Sequence, residues 1–207
     1  MRDNKGFDLW ADEYDKAVNL SEESNEYPFA GYKNVLNHIY TKVKELPTAR
    51  VLDIGFGTGV LAQKLYQDDY DIFGIDFSSR MIEIAKEKMP SATLIEHDFA
   101  NGLPKEILDT KFDFIISTYA IHHLANDNKV AFFNQLLSIL SPNGTILIGD
   151  VAFETRELLD QCKNSCGEGW DNDEFYIVFD ELKQFFDENK IQFNQISHCA
   201  GIVQIVK

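Results

Sequence analysis

The 207-residue sequence predicts an α/β fold built on a mostly parallel sheet with helices on both faces. Three observations predict it. Short runs rich in Val, Ile and Phe alternate with amphipathic stretches from residue 50 onward, the first run leads into a glycine-rich turn, and an acid closes each of the first three runs. Uninterrupted apolar runs of that length suit strands buried on both faces, and the stretches between them suit crossover helices.

Taken in order, residues 7–46 carry helix-like patterning and the aromatics Phe7, Trp10, Tyr14, Tyr27, Phe29, Tyr32 and Tyr40, so residues 1–46 are expected to form a helical lid. Strands are expected at about 50–55, 71–76, 92–96, 112–117 and 144–150. GVLAQKLYQ and SSRMIEIAKEKM supply the first two crossover helices, a shorter piece near 103–109 the third, and VAFFNQLLSIL the fourth. The turn SPNG at 141–144 ends that helix, because Pro142 cannot continue it and Gly144 can take a positive φ. Residues 154–189 read as two helices around the break CGEGWDNDEF, and IQFNQIS and GIVQIVK, joined by HCA, read as a closing hairpin. Together these make one domain, with a lid at 1–46, a ligand-binding core at 50–151, and substrate-side helices with the hairpin at 152–207.

A composition of 44% hydrophobic and 26% charged residues is that of an ordinary globule long enough to bury a core. The net charge of −15 argues against a nucleic-acid partner, since such proteins usually present a basic patch to phosphates. No apolar run approaches the roughly 20 residues of a membrane span, so no membrane partner is expected. The cysteines Cys162, Cys166 and Cys199 are odd in number and lack paired metal-type spacing, and no signal-peptide pattern is present, so a reducing cytoplasm and no metal are expected.

The glycine turn VLDIGFGTG, residues 51–59, sets the sign of the ligand's charge. Gly55, Gly57 and Gly59 are followed by Val60, where the dinucleotide fingerprint places Gly or Ala. Asp53 stands at the strand end beside the space a pyrophosphate would occupy, and like charges repel there. A cationic ligand reverses that argument. S-adenosylmethionine has a sulfonium, an ammonium, one carboxylate and no phosphate, and it suits glycines that allow close approach beside an acid. Asp76, at the end of the second run, can accept hydrogen bonds from both hydroxyls of an adenosine ribose. Asp98 and Phe99, after the third, suit an adenine amine and the face of the base.

On the motifs VLDIGFGTG, GIDFS, EHDF, FDFIISTYAIHHL and LLSILSPNGTILIGD, spanning roughly residues 50–151, the sequence resembles the class I S-adenosylmethionine-dependent methyltransferases. With FDLWADEYDKAV at 7–18 and DVAFETRE at 150–157, the whole chain is similar to the YrrT group of bacterial methyltransferases. The resemblance implies a Rossmann-like, seven-stranded sheet whose last strand runs antiparallel. It also implies that Gly55, Gly57 and Gly59 line the methionine part, Asp53 lies near its amino group, Asp76 holds the ribose, and Asp98 with Phe99 holds the adenine; Phe77, next to Asp76, is a further candidate cofactor contact. Trp10, Tyr14 and Asp15 match an N-terminal segment that folds over the cofactor in related enzymes, which makes Tyr14 a candidate contact.

Methyl transfer from a sulfonium is an in-line displacement on an activated donor, so positioning and exclusion of water supply most of the help. A base is needed only where the acceptor must lose a proton. The fourth run ends Ser117-Thr118-Tyr119-Ala120-Ile121-His122-His123, which puts Thr118 beside the cofactor, Tyr119 toward the substrate, and His122 or His123 in place as a base. Asp150, Glu154 and Arg156 follow the fifth run at the same edge, and Tyr176 comes from the less regular segment; all four are candidate substrate contacts. Arg156 suits a carboxylate or phosphate acceptor, or a salt bridge at a helix start. STYA stands where methylases of exocyclic base amines carry Asn-Pro-Pro-Tyr, and no Pro-Cys nucleophile occurs. The expected function is therefore methyl transfer to a small-molecule acceptor by a monomer or homodimer, leaving S-adenosylhomocysteine as product. A non-catalytic binding module for the same cofactor, or methylation of a protein, are the competing readings.

Overall fold

The computed structural model describes residues 25–188 and 190–207. After α1 (Tyr32–Val43), the chain alternates through β1 (Arg50–Ile54), α2 (Val60–Gln67), β2 (Asp71–Asp76), α3 (Ser79–Lys88) and β3 (Thr93–Glu96). It continues with β4 (Phe112–Thr118), α4 (Asn126–Ile139), β5 (Leu140–Phe153), α5 (Arg156–Cys166), β6 (Ile177–Val178), α6 (Phe179–Leu182), β7 (Ile191–Gln195) and β8 (Ala200–Val206). Seven strands form one sheet in the order β3-β2-β1-β4-β5-β8-β7, and β6 pairs with the far end of β5. The last strand, β8, runs antiparallel to both of its neighbours, as expected of a closing hairpin.

Side chains alternate across the sheet with period two, and both faces are buried. Val51, Phe114, Ile116 and Leu147 face a layer that includes α1, α2 and α5, while Leu52, Ile115, Ile146 and Ile148 face Phe132, Phe133 and Leu136 of α4. Strand order therefore reverses beside β1, between β2 and β4, and that is where open α/β sheets place their ligands.

Three expectations need correction. The piece at 103–109 is only a single 3₁₀ turn, Lys105–Ile107. In the SPNG turn Asn143 takes the positive φ (65°), whereas Gly144 serves close packing, since a Cβ there would lie 2.8 Å from Leu140. The second helix of 154–189 is one short turn, α6, because Ile177 and Val178 pair with Ala152 and Phe153 of β5 instead. Of the segment expected as a lid, residues 1–24 lie outside the described residues, α1 is seated on the sheet, and Glu26, Tyr27, Pro28, Phe29 and Tyr32 reach the cavity described below.

The seat of α1 is Gly149 of β5, where a Cβ would lie 2.3 Å from Val35 Cγ1 and 3.0 Å from Ile39 Cδ1. Gly149→Ala is expected to destabilise the protein by about 1–3 kcal/mol through overpacking, measured as a lower midpoint of urea unfolding.

Candidate active site

The carboxyl ends of β1, β2 and β4 open onto one cavity of ≈ 470 Å³. Gly55, Gly57, Asp76, Phe77, Phe99 and Thr118 line one side of it, and Glu26, Tyr27, His122, His123, Asp171 and Glu174 line the other. That volume is within the range of small-molecule sites.

On the first side, the chain leaves β1 through Gly55 (φ 66°) and Gly57 (φ 57°), a backbone region that side chains disfavour. A Cβ on Gly55 would lie 2.5 Å from Ala120 Cβ, whereas one on Gly57 would meet nothing within 4 Å, so Gly57 presents bare backbone to the cavity. Asp76 closes the loop: its carboxylate accepts the Gly57 N–H at 2.8 Å and the Ser78 N–H at 2.9 Å. Ser78 in turn caps α3 by accepting from the Met81 N–H, so the sequence DFS fixes the acid, the turn and the helix start together. Gly59 caps α2 and stands back from the lining.

Asp53 lies beneath this turn at 2% exposure, and its Oδ1 has no hydrogen-bond partner among the described residues. Burial, and after it the charge of Asp76, push its carboxyl up to about 8. A buried acid with an unused oxygen under a bare glycine backbone fits a cationic cofactor group better than a phosphate. Because the folded value is raised, stability is fully present below the unfolded value of 3.8 and is lost as pH rises through about 8. Asp53→Asn is expected to flatten that decline, by about 2 kcal/mol or more between pH 5 and 8.5, in urea titrations of the ligand-free protein.

The second side is built on the turn after β4. Tyr119 takes φ 51°, and its N–H donates to Gly149 O, which turns the chain into the 3₁₀ turn Ile121–His123. The His122 ring donates from Nδ1 to Asp150 Oδ1 at 2.6 Å, and its backbone N–H donates to Asp150 Oδ2 at 3.1 Å. A carboxylate only accepts, so Nδ1 carries the proton and Nε2 is left to face Glu174 Oε1 at 3.6 Å. Tyr176 OH holds Glu174 by donating to Oε2 at 2.7 Å. Burial alone would depress the imidazole, but the Asp150 charge and hydrogen bond, with Glu174 adding, hold it above its ordinary value of 6.5; Lys129 opposes them. His123 stands beside it, ring centroids 4.2 Å apart, and is exposed. Lys129 is buried behind Asp150, donating to the carbonyls of Leu124 and Phe175, and burial pulls its ammonium down to about 8.

Several expected contacts lie elsewhere. Asp98 is exposed and caps its own 3₁₀ turn by accepting the Ala100 N–H, leaving Phe99, packed on Phe132, as the wall at β3. Asp150 is fully buried and touches His122 rather than the cavity. Glu154 lines a separate cavity of ≈ 720 Å³ beside Cys162 and Cys166. Arg156 is bound by Glu181 through two hydrogen bonds of 2.9 and 2.7 Å. Tyr176 is buried against Trp170 and hydrogen-bonded to Tyr27, one layer behind the cavity wall. Tyr14 lies outside the described residues. Sequence reasoning missed Glu174, Asp171, Tyr27 and Glu26; the first two sit in the break CGEGWDNDEF, whose acids were the only signal.

Residues 51–144 match a methyltransferase domain family. An uncharacterized methyltransferase of Oceanobacillus iheyensis is 30% identical over 210 residues, which covers 97% of this chain and 95% of that protein. One of Anoxybacillus flavithermus is 37% identical over 152 residues, covering 73% and 68%. Among solved structures, DhpI with bound S-adenosylhomocysteine superposes with a TM-score of 0.70 at 15% identity, covering 97% of this chain and 93% of that one. Magnesium protoporphyrin IX methyltransferase from Synechocystis, also holding S-adenosylhomocysteine, gives 0.68 at 19% identity, covering 86% and 84%. A relative that matches nearly from end to end, a sheet of the same kind and a glycine turn suited to a cation agree, and the chain belongs to the S-adenosylmethionine-dependent methyltransferases.

Proposed function

We propose that the chain acts as one cytoplasmic unit that transfers a methyl group to a small molecule, held in the cavity between the glycine turn and His122. The observation that supports this reading is the continuity of that cavity, in which Gly55, Gly57 and Asp76 share a single ≈ 470 Å³ space with the titratable groups His122, His123 and Glu174. S-adenosylmethionine supplies a methyl group already activated on sulfur. Gly55 and Gly57 give the cofactor backbone to lie against, Asp76 faces its ribose, and Phe77, Phe99 and Thr118 cover its other edges. Asp53 favours its ammonium from below. At the opposite wall, Asp150 fixes the His122 tautomer so that Nε2 accepts a proton from the acceptor, and Tyr119 packs with Phe29 and Tyr32 to keep water out. A concave space of this volume suits a metabolite better than a folded macromolecule. The three unpaired thiols accord with a reducing compartment.

His122, His123 and Glu174 each offer a ligand atom within 4.8 Å of the others, the one such trio found among the described residues. We assign it to proton handling. In a bacterial extract supplied with methyl-labelled S-adenosylmethionine, label is expected in the small-molecule fraction and is expected to withstand EDTA. Label confined to protein would overturn the small-molecule reading, and a loss on chelation restored by zinc would recast the trio as metal ligands.

A further inference from the structure

Resting on the reading above, we infer that the acceptor is a basic amine, bound as its ammonium between Glu26, Asp171 and Glu174. Three placements point there. Glu174 and Asp171 come from one loop, Glu26 comes from the segment whose Tyr27 OH accepts the Asp171 N–H, and all three line the cavity with His122. None of the described lining residues is Lys or Arg. Arg156 is bound by Glu181, and Lys129 is bound to backbone carbonyls and lines a different cavity, so neither is offered to an anionic guest here. With Tyr27 and Tyr119 also in the lining, these surroundings favour a cation over a carboxylate, a phosphate or a plain alcohol.

An ammonium has no lone pair to attack with, so this guest also explains a histidine pointed at the same place. One proton passes from the ammonium to His122 Nε2. The freed nitrogen pair forms the new N–C bond, the C–S bonding pair returns to sulfur as the sulfonium becomes a thioether, and the product leaves as a methylammonium. Two positive charges, on the imidazolium and on the product nitrogen, then lie among three carboxylates and Asp150.

The test compares n-butylamine, n-butanol and butyrate as probes on the protein loaded with S-adenosylhomocysteine, followed by calorimetry. The amine is expected to bind at least tenfold more tightly than either other probe. Glu174→Gln and Asp171→Asn are each expected to weaken it at least fivefold while leaving S-adenosylhomocysteine affinity within twofold, which certifies the fold. Equal or tighter binding of butyrate or butanol, or indifference to both substitutions, overturns the inference. In parallel, a bacterial extract is divided by ion exchange at pH 7 before labelled S-adenosylmethionine is added. Label arising in the fraction retained by a cation exchanger supports the amine, and label only in the anionic or neutral fractions overturns it. No label in any fraction, with butylamine still bound selectively, defeats the transfer reading while the charge preference of the site stands.

Discussion

Asp76→Ala is expected to lower the affinity for S-adenosylhomocysteine about a hundredfold in calorimetry. The carboxylate accepts the N–H groups of Gly57 and Ser78, so it shapes the turn that meets the cofactor as well as facing the cofactor itself. Hydrogen bonds to a charged group are each worth about 1.5–3 kcal/mol, and about 2.8 kcal/mol corresponds to a hundredfold in affinity. Asp76→Asn keeps one acceptor oxygen and should fall about tenfold. The same substitutions remove the charge that helps raise Asp53, so the pH dependence of stability should shallow at the same time. Unchanged binding in Asp76→Ala would contradict the assignment of this wall to the cofactor.

His122→Ala should reduce kcat/KM by about 10²–10⁴ toward the acceptor that labelling identifies, with S-adenosylhomocysteine affinity changed only a few-fold. The pH profile separates a base from a packing residue. With the imidazole held above 6.5, its neutral form accumulates only on the alkaline side, so kcat/KM should rise through a midpoint higher than 6.5. The groups that set this midpoint are Asp150 and Glu174, which raise it, and Lys129 and burial, which lower it. Asp150→Asn leaves burial dominant, and the midpoint should fall below 6.5 along with the rate. Stability follows the same sign: the contribution of His122 is fully present below 6.5 and is lost as pH rises through the folded value. Unfolding midpoints of wild type and His122→Ala should therefore converge at alkaline pH. A wild-type profile flat from pH 6 to 9 would count against His122 as the base.

The sheet was legible in the sequence because strands buried on both faces read as unbroken apolar runs, and β1, β2 and β4 lie within a residue or so of where those runs place them. The glycine turn was legible for a similar reason, since backbone at positive φ beside a cavity demands glycine. What escaped was set by distant partners. Tyr176-Ile177-Val178 reads as part of a helical stretch until β5 offers it an edge to pair with. Arg156 looks available until Glu181 arrives from the next helix, and Asp98 looks like a ligand contact until it caps its own turn. Glu174 has no local pattern at all; its place depends on Tyr176 behind it and on the Phe175 N–H, which donates to His122 O.

That last contact has a consequence for descent. Phe175 is fastened to His122 on one side and to Lys129 on the other, so the loop bearing Glu174 is stitched to the β4 and β5 half of the sheet, while the cofactor turn belongs to β1 and β2. A lineage can therefore rewrite this one short loop, and with it the guest, without disturbing the wall that grips the donor. Duplicated copies of such a chain would diverge first there, and exchanging the loop between relatives should exchange their preferred acceptors while donor affinity is retained.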